Sequence, residues 1–434
     1  MIIHHKHNIM ETPTNVRKHQ VLILGGGTAG ITVAAQLLRK DKSLDIAIME
    51  PSEKHYYQPA WTLVGAGAFD MADTVREEKD FIPKNTSWIK EYAEKIDADN
   101  NMVVTRGGQT IQYDYLIVGV GIQLDWDGIP GLKEGIGKHG ICSNYSHEYA
   151  EYTYECIQNF KGGNALFTQP ATPIKCGGAP QKIMYMAEDY FRKNNVRDKA
   201  NVIFATPGSV IFGVKEFAKT LNNIISDRDI YLKLFHKLIE IRPEKKEAVY
   251  ELSGAETGCV TIDSVEEKLN LKVEGDTRVV IPFEMMHTAP PQSAPDFIKK
   301  SPLALQDNPL GWVDVDKHTL QHNKYPNVFA LGDVANLPTA KTGAAIRKQA
   351  PVVVENLLTV MAHASLEGSK PYSGYSSCPI VTRYGKMVLA EFDYDNKPMP
   401  SFPIDTSKER YSMWLFKKHF LPWMYWNAML KGTA

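Results

Sequence analysis

An α/β architecture on parallel sheets is predicted by three features of the chain. Val21-Leu-Ile-Leu runs without a polar residue into Gly25, Gly27 and Gly30; Thr28 to Lys40 follows with helical spacing; and Asp45-Ile-Ala-Ile-Met-Glu50 forms a second apolar strand. An apolar run of this length without alternation suits a strand buried on both faces, as parallel strands are. In the helix, Ala29, Val33, Ala34, Leu37 and Leu38 share one stripe. The glycines have the spacing of a dinucleotide-binding turn: Gly25 permits the tight turn, Gly27 admits a pyrophosphate to the backbone, and Gly30 lets helix and strand pack closely. Phosphates would sit on the free N–H groups at the helix start, around Thr28 and Ala29. Glu50 ends the second strand twenty residues after Gly30, where a carboxylate can accept from ribose hydroxyls. A glycine triplet alone says little. Strand, triplet, helix, strand and terminal acid together favour a nucleotide site over a plain α/β turn.

Composition narrows the class. The 434 residues suit two or three domains, and a net charge of −1 with 23% charged residues gives no sign of nucleic acid or another polyanion. Five cysteines, at 142, 156, 176, 259 and 378, are odd in number and far apart. That excludes a secreted disulfide framework, and no pair has zinc-ligand spacing, so no metal is expected. No segment reaches the ~18 apolar residues of a spanning helix. The first 20 residues carry His4, His5, Lys6, His7, Arg17 and Lys18 with no apolar core for a secretory signal, which suits a short targeting stub or a disordered terminus.

After Glu50 the chain enters a loop-rich stretch, His55-Tyr-Tyr-Gln58-Pro-Ala-Trp-Thr, and residues 86–117 read as short strands. Tyr115-Leu-Ile-Val-Gly119 closes them as a buried strand. A second α/β unit starts at Gly162, with a strand at Asn164–Thr168 and a helix from Gly178 to Lys193. Between them, where a second nucleotide turn belongs, lies Pro170-Ala-Thr-Pro-Ile-Lys-Cys176-Gly-Gly-Ala-Pro. It lacks G-x-G-x-x-G, and the next strand, Asn201–Ala205, ends without an acid. The architecture is doubled, in tandem Rossmann-like units, but the second nucleotide site is lost. Residues 247–283 alternate as a small antiparallel meander. Pro326-Asn-Val-Phe-Ala-Leu-Gly332-Asp333 is a strand ending in a carboxylate, and Thr342 to Ala362 reads as a helix.

Cys176 lies in a strand-to-helix loop beside Lys175, where a helix N-terminus and a cation lower a thiol's pKa; a buried structural cysteine is the other reading. Asp333 suits orientation of a ribityl chain or phosphates, or else a helix cap. His287, beside Pro290-Pro291, suits a proton relay or a structural role.

Assembled, these pieces resemble the sulfide:quinone oxidoreductases, in their eukaryote-like type, among flavoproteins of the FAD/NAD(P)-reductase class. The matching residues are the 25–30 turn, Glu50 with Pro51-Ser-Glu, Tyr57-Gln58-Pro, Lys175-Cys176-Gly-Gly-Ala-Pro-Gln-Lys, His287 with Pro290-Pro291, Gly332-Asp333, Pro338-Thr-Ala-Lys341-Thr, and Ser377-Cys378-Pro with Leu389-Ala-Glu-Phe-Asp-Tyr. Coverage runs from about Gln20 to the C-terminus, with a short C-terminus and the N-terminal stub as departures. The two cysteine motifs are specific, whereas the glycine turn is shared by many flavoproteins.

The resemblance implies a discontinuous FAD-binding domain (19–135 and 284–366), a second Rossmann-like domain without a working NAD site (136–283), and a C-terminal redox-cysteine and membrane-interface region (367–434). It implies that Cys176 and Cys378 meet as a redox pair over FAD, that Cys378 keeps the sulfane sulfur as a persulfide, and that the Cys176 thiolate faces the flavin. Gln58 and Ala93 correspond to FAD-contacting positions, and Lys341 to one that offsets charge on the reduced cofactor. Cys142, Cys156 and Cys259 match no family position. The implied partners are hydrogen sulfide, a membrane quinone and a small sulfur acceptor such as sulfite or glutathione, with no nucleic acid and a homo-oligomer left open. Two rival readings are a type 2 NADH:quinone oxidoreductase and a non-catalytic persulfide-sensing flavoprotein.

Trp414, Trp423 and Trp426 fall within the final 21 residues, among Met413, Leu415, Phe416, Phe420, Leu421, Met424 and Tyr425. Lys417, Lys418, His419 and Pro422 interrupt the run, so it suits a segment lying in the headgroup interface; packing on the protein's own core is the alternative. The expected location is therefore peripheral, on the cytoplasmic face of a bacterial inner membrane, or the mitochondrial inner membrane in a eukaryote.

Overall fold

The computed structural model describes residues 16–252 and 263–434. Cys259 and the histidine-rich start at 4–7 lie outside the described residues.

The first unit is built on a seven-stranded sheet. The strand Val16–Leu24 pairs in parallel with Ile46–Met49 on one side and Thr110–Val118 on the other. Thr86–Ile89 and Val328–Ala330 extend the parallel set outward, and Met102–Thr105 with Ala93–Asp97 adds an antiparallel flap. Val21 to Leu24 and Ile46 to Met49 are buried throughout, as strands covered on both faces must be. The helix spans Thr28–Lys40, as its apolar stripe predicts. Gly30 is indispensable there: a Cβ on it would lie 1.9 Å from the Gly25 carbonyl oxygen.

The second unit is a five-stranded parallel sheet in the order Ile141–Cys142, Met285–Thr288, Gly163–Thr168, Ala200–Ala205, Tyr231–Lys233. Two parallel sheets, each backed by helices, make the tandem arrangement that the sequence predicts. The antiparallel meander is larger than the alternation suggests. It begins at His236–Arg242 and runs through Glu247–Leu252, Arg278–Pro282 and Lys272–Glu274.

A hairpin, Ser376–Arg383 with Lys386–Phe392, leads into the C-terminal segment. That segment is a helix at Tyr411–Leu415, a π-helical turn at Phe416–Phe420 and a second helix at Leu421–Asn427. No helix among the described residues is long and apolar enough to cross a membrane. The aromatic run splits between the two readings it allows. Trp414 packs into the core of the second unit with Met387, Val388 and Phe392, and Trp426 packs into the core of the first with Tyr425 and Met429. Tyr411, Leu415, Phe420 and Trp423 remain exposed. Packing, not spacing, sorts them: Trp423 and Trp426 stand three residues apart in one helix, yet Trp426 lies in the core and Trp423 in solvent.

This division makes a measurable contrast. Trp414→Ala, which empties a core position, is expected to lower unfolding stability by about 3–5 kcal/mol in urea titrations. Trp423→Ala, at a site 57% exposed, is expected to change it by no more than about 0.5 kcal/mol.

Candidate active site

Between the two units and the C-terminal segment lies a cavity of ≈ 930 Å³. Gly25, Gly27, Thr28, Ala29 and Glu50 line one end; Gln58, Cys176, Lys182, Asp333 and Lys341 the middle; and Phe402, Phe416, Phe420, Leu421 and Met424 an apolar end. Gly30 stands behind the turn as a packing residue. Ala93 does not join the others: it opens the outermost strand of the flap and packs on the core that holds Trp312.

Three features of the glycine end fit a flavin dinucleotide. A Cβ on Gly27 would meet no protein atom within 4 Å, so the backbone there faces open space of the kind a pyrophosphate needs. The helix after it has no side-chain cap, which leaves its first N–H groups for phosphate. The Glu50 carboxylate is fixed before any ligand arrives, accepting from Gly26 N–H and Ser52 N–H, both at 2.8 Å. Farther along, Asp333 is half-buried, and its Oδ1 is sequestered without a partner. Burial raises its pKa, partly offset by the charges of Lys341 and Lys175. An orphaned buried carboxylate oxygen facing a cavity is an acceptor that waits for ribityl or phosphate-side donors.

The loop that replaces the second nucleotide turn is spoken for. Lys175 bridges in parallel to Lys341, the Cys176 N–H donates to the Lys341 carbonyl at 2.7 Å, and Lys175 Nζ donates to Gln58 Oε1. Backbone groups that would otherwise cradle a phosphate are committed to the first unit. Cys176 also holds a left-handed φ of +51°, a strained conformation for a side-chain-bearing residue and one that gathers at functional sites. The strain turns its thiol toward the hairpin. There it meets the Cys378 thiol, which lowers its pKa, and a Cβ on Gly178 would lie 2.5 Å from Cys378 Sγ. Two cysteines 202 residues apart are thus neighbours across the gap between loop and hairpin.

The pair is unequal. The Cys176 thiol is held well below its ordinary pKa, first by the hydrogen bond from Cys378 and then, against burial, by the Lys182 charge. Cys378 is pushed well above its own by that same hydrogen bond and by burial. Lys182 is 1% exposed and donates to Cys176 Sγ at 2.8 Å. Burial works against its charge, but the facing cysteines outweigh it and raise its pKa. Sequence reasoning gave Lys182 no role, although it closes the motif that runs from Lys175. The available signal was a lysine inside the apolar stripe of the helix Ala179–Lys193, flanked by Ile183 and Met184.

Lys417 was missed too. The π-helical turn carries it inward, 4% exposed, where its Nζ donates to the Pro59 carbonyl at 3.2 Å. Its pKa is pulled down to about 7 by burial and by the Lys182 charge. Nothing in the sequence distinguishes it from Lys418 beside it. Lys341 donates to the Asp333 and Ala335 carbonyls at 2.6 and 3.1 Å and lies 3.9 Å from the Trp312 ring centroid; burial brings its pKa to about 8. His287 takes the structural reading. It is fully buried, its Nε2 lies 2.9 Å from Asn144 Oδ1, and burial drops its pKa to about 3, so it stays neutral.

Residues 19–150 match the pyridine nucleotide-disulphide oxidoreductase family. The chain is 48% identical to the mitochondrial sulfide:quinone oxidoreductase of Mus musculus, covering 95% of this chain and 87% of that one. It is 45% identical to the mitochondrial sulfide:quinone oxidoreductase of Dictyostelium discoideum, over 96% of this chain and 87% of the relative. The solved sulfide:quinone oxidoreductase of Aquifex aeolicus superposes with a TM-score of 0.76 at 21% identity, covering 96% of this chain and 92% of that one.

Replacing Lys182 by methionine removes the cation at similar volume. The Cys176 thiolate then loses a favourable partner, so its pKa should rise toward the ordinary cysteine range. The pH profile of iodoacetamide alkylation of the reduced protein is expected to move to higher pH. An unshifted profile would show that Lys182 does not hold the thiolate.

Proposed function

Since the chain belongs to the sulfide:quinone oxidoreductases, it is an FAD-dependent enzyme that oxidises hydrogen sulfide and passes the electrons to quinone, and we propose that Cys176 and Cys378 are its redox pair. The observation that carries this assignment is the inequality of the two thiols at the Lys182 contact. In a disulfide between them, the sulfur with the lower thiol pKa is the better leaving group. Hydrosulfide therefore attacks Cys378 Sγ, the S–S bond breaks, and its electron pair settles on Cys176 Sγ beside the Lys182 ammonium. Cys378 is left carrying the outer sulfur as a persulfide.

A small nucleophile, such as sulfite or glutathione, takes that sulfur and leaves a second thiolate at Cys378. Loss of two electrons from the pair re-forms the disulfide. FAD, when bound, supplies the two-electron relay between the thiols and quinone. Glu50, the 25–30 turn, Gln58 and Asp333 are assigned to holding it, and Lys341 to offsetting its negative charge.

The apolar end of the cavity is assigned to quinone. Alternation in the hairpin supports this: Ser377, Pro379 and Leu389 face the cavity, while Cys378 packs toward the helix Ala179–Lys193. One strand thus serves sulfur on one face and the quinone slot on the other. Phe416, Phe420, Leu421 and Met424 line that slot, and Phe420, Trp423, Leu415 and Tyr411 are exposed around it. We assign this exposed face to peripheral contact with a bilayer, from which a lipid-soluble quinone enters. The Mus musculus and Dictyostelium discoideum relatives are mitochondrial, which favours the mitochondrial inner membrane over the bacterial one. Neither rival is favoured: the NADH-dependent one needs the turn that Lys175 and Cys176 commit elsewhere, and the closely similar relatives are oxidoreductases rather than sensors.

Sulfide is expected to bleach the flavin band under anaerobic conditions and NADH to leave it unchanged; the reverse would favour the NADH-dependent reading. Cys176→Ser and Cys378→Ser are each expected to abolish sulfide-dependent quinone reduction with FAD retained, and Cys142→Ser to keep it, as followed by quinone absorbance. Joint replacement of Phe420 and Trp423 by serine should weaken liposome binding about tenfold or more. Reduction of a long-chain quinone should then fall more than that of a short soluble analogue. Unchanged flotation with liposomes would place the contact on another face.

A further inference from the structure

The mechanism above leaves one buried polar chain unused. The Tyr425 hydroxyl, in the C-terminal helix Leu421–Asn427, lies 2.7 Å from Thr28 Oγ1 and 2.6 Å from His55 Nε2. His55 Nδ1 lies 2.9 Å from Glu78 Oε2. Tyr425, His55 and Glu78 are 5%, 3% and 2% exposed. In the neutral imidazole with Nδ1–H given to the Glu78 carboxylate, Nε2 accepts from Tyr425, whose oxygen then accepts from Thr28. The hydrogens run one way, from the nucleotide turn through the C-terminal helix to an acid.

Glu78 does not end the chain idly. Its second oxygen, Oε1, is buried without a partner, and Glu78 lines the cavity beside Gly26 and Glu50. A Cβ on Gly26 would lie 2.6 Å from that oxygen and 2.7 Å from Glu50 Cβ. A buried carboxylate oxygen with no donor costs stability unless a ligand supplies one. Beside the acid assigned to ribose, the donors that fit are the hydroxyls of a bound nucleotide. Thr28, at the other end, is the first residue of the helix whose N–H groups face the phosphates.

We propose that Glu78 is a second acceptor for the nucleotide's hydroxyls, and that Tyr425, through His55 and Thr28, makes the docked C-terminal segment part of the cofactor's hold. The segment that presents Trp423 and Phe420 outward would then tighten or loosen the flavin according to whether it is seated. This inference rests on the reading of the cavity as a flavin site.

The test is the rate of FAD release from diluted holoenzyme, read as the rise of flavin fluorescence. Tyr425→Phe and Glu78→Gln keep shape and remove one link each. Each is expected to speed release about tenfold, and the double variant to be no more than about twofold faster than the faster single, because both break one chain. Excess FAD should restore the variants' melting temperature, since a ligand-holding defect is reversed by mass action; a packing defect would persist. Release from Tyr425→Phe at the wild-type rate, additive effects in the double variant, or a melting temperature that excess FAD fails to restore would each overturn the coupling. Wild-type protein that binds no FAD would overturn the flavin reading itself, and the coupling with it.

Discussion

Everything at the reactive centre depends on where the Cys176 loop is tied. Its N–H donates to Lys341 and its neighbour bridges to the same residue, so a turn that in a parallel α/β unit would hold phosphate is bound to the other unit instead. That tie fixes the thiol in a left-handed backbone conformation and aims it at the hairpin and at Lys182. The tie that withholds this turn from a nucleotide is the same one that places the thiol of the proposed sulfur site. A thiol there can be approached from the hairpin on one side and from the flavin cavity on the other.

The C-terminal segment completes the centre from outside. Its π-helical turn sends Lys417 inward and leaves Phe420 and Trp423 outward, and the next helix places Tyr425 against the nucleotide turn. Such turns often mark functional sites because the extra residue re-aims the side chains that follow. One short stretch therefore contributes a buried cation near the cysteines, the apolar lining proposed for quinone and the polar link proposed to the cofactor's phosphate end. Cation density needs its own balance. Lys182, Lys341 and Lys417 are all buried, and their charges are compensated by the Cys176 thiolate, by Asp333 and by carbonyl oxygens.

Local features of the chain were legible in the sequence, and features made by tertiary approach were not. The helix Thr28–Lys40 follows from its stripe, and Glu50 from its place at a strand end, because both are set by periodicity within a few residues. The degenerate second turn was also readable, since an absent glycine pattern is a local fact. Lys182 was hidden because a buried lysine is decided by its partner, and that partner's orientation depends on a positive φ that no spacing encodes. Lys417 was hidden because the π-helical turn breaks the 3.6-residue register by which Lys417 and Lys418 would be sorted. Trp414 and Trp423 looked alike for the same reason, and only packing separates them. The meeting of Cys176 with Cys378 came from family resemblance alone, as 202 residues of intervening chain carry no geometric signal.

The central claim is that the pair is polarised, with Cys176 as leaving thiolate and Cys378 as sulfur carrier. Oxidised enzyme exposed anaerobically to one equivalent of sulfide without an acceptor, then trapped with an alkylating agent and digested, reports the carrier directly by peptide mass. The added sulfur is predicted on the peptide containing Cys378, with Cys176 alkylated as a plain thiol. An added sulfur on Cys176, with Cys378 recovered as the plain thiol, would contradict the account.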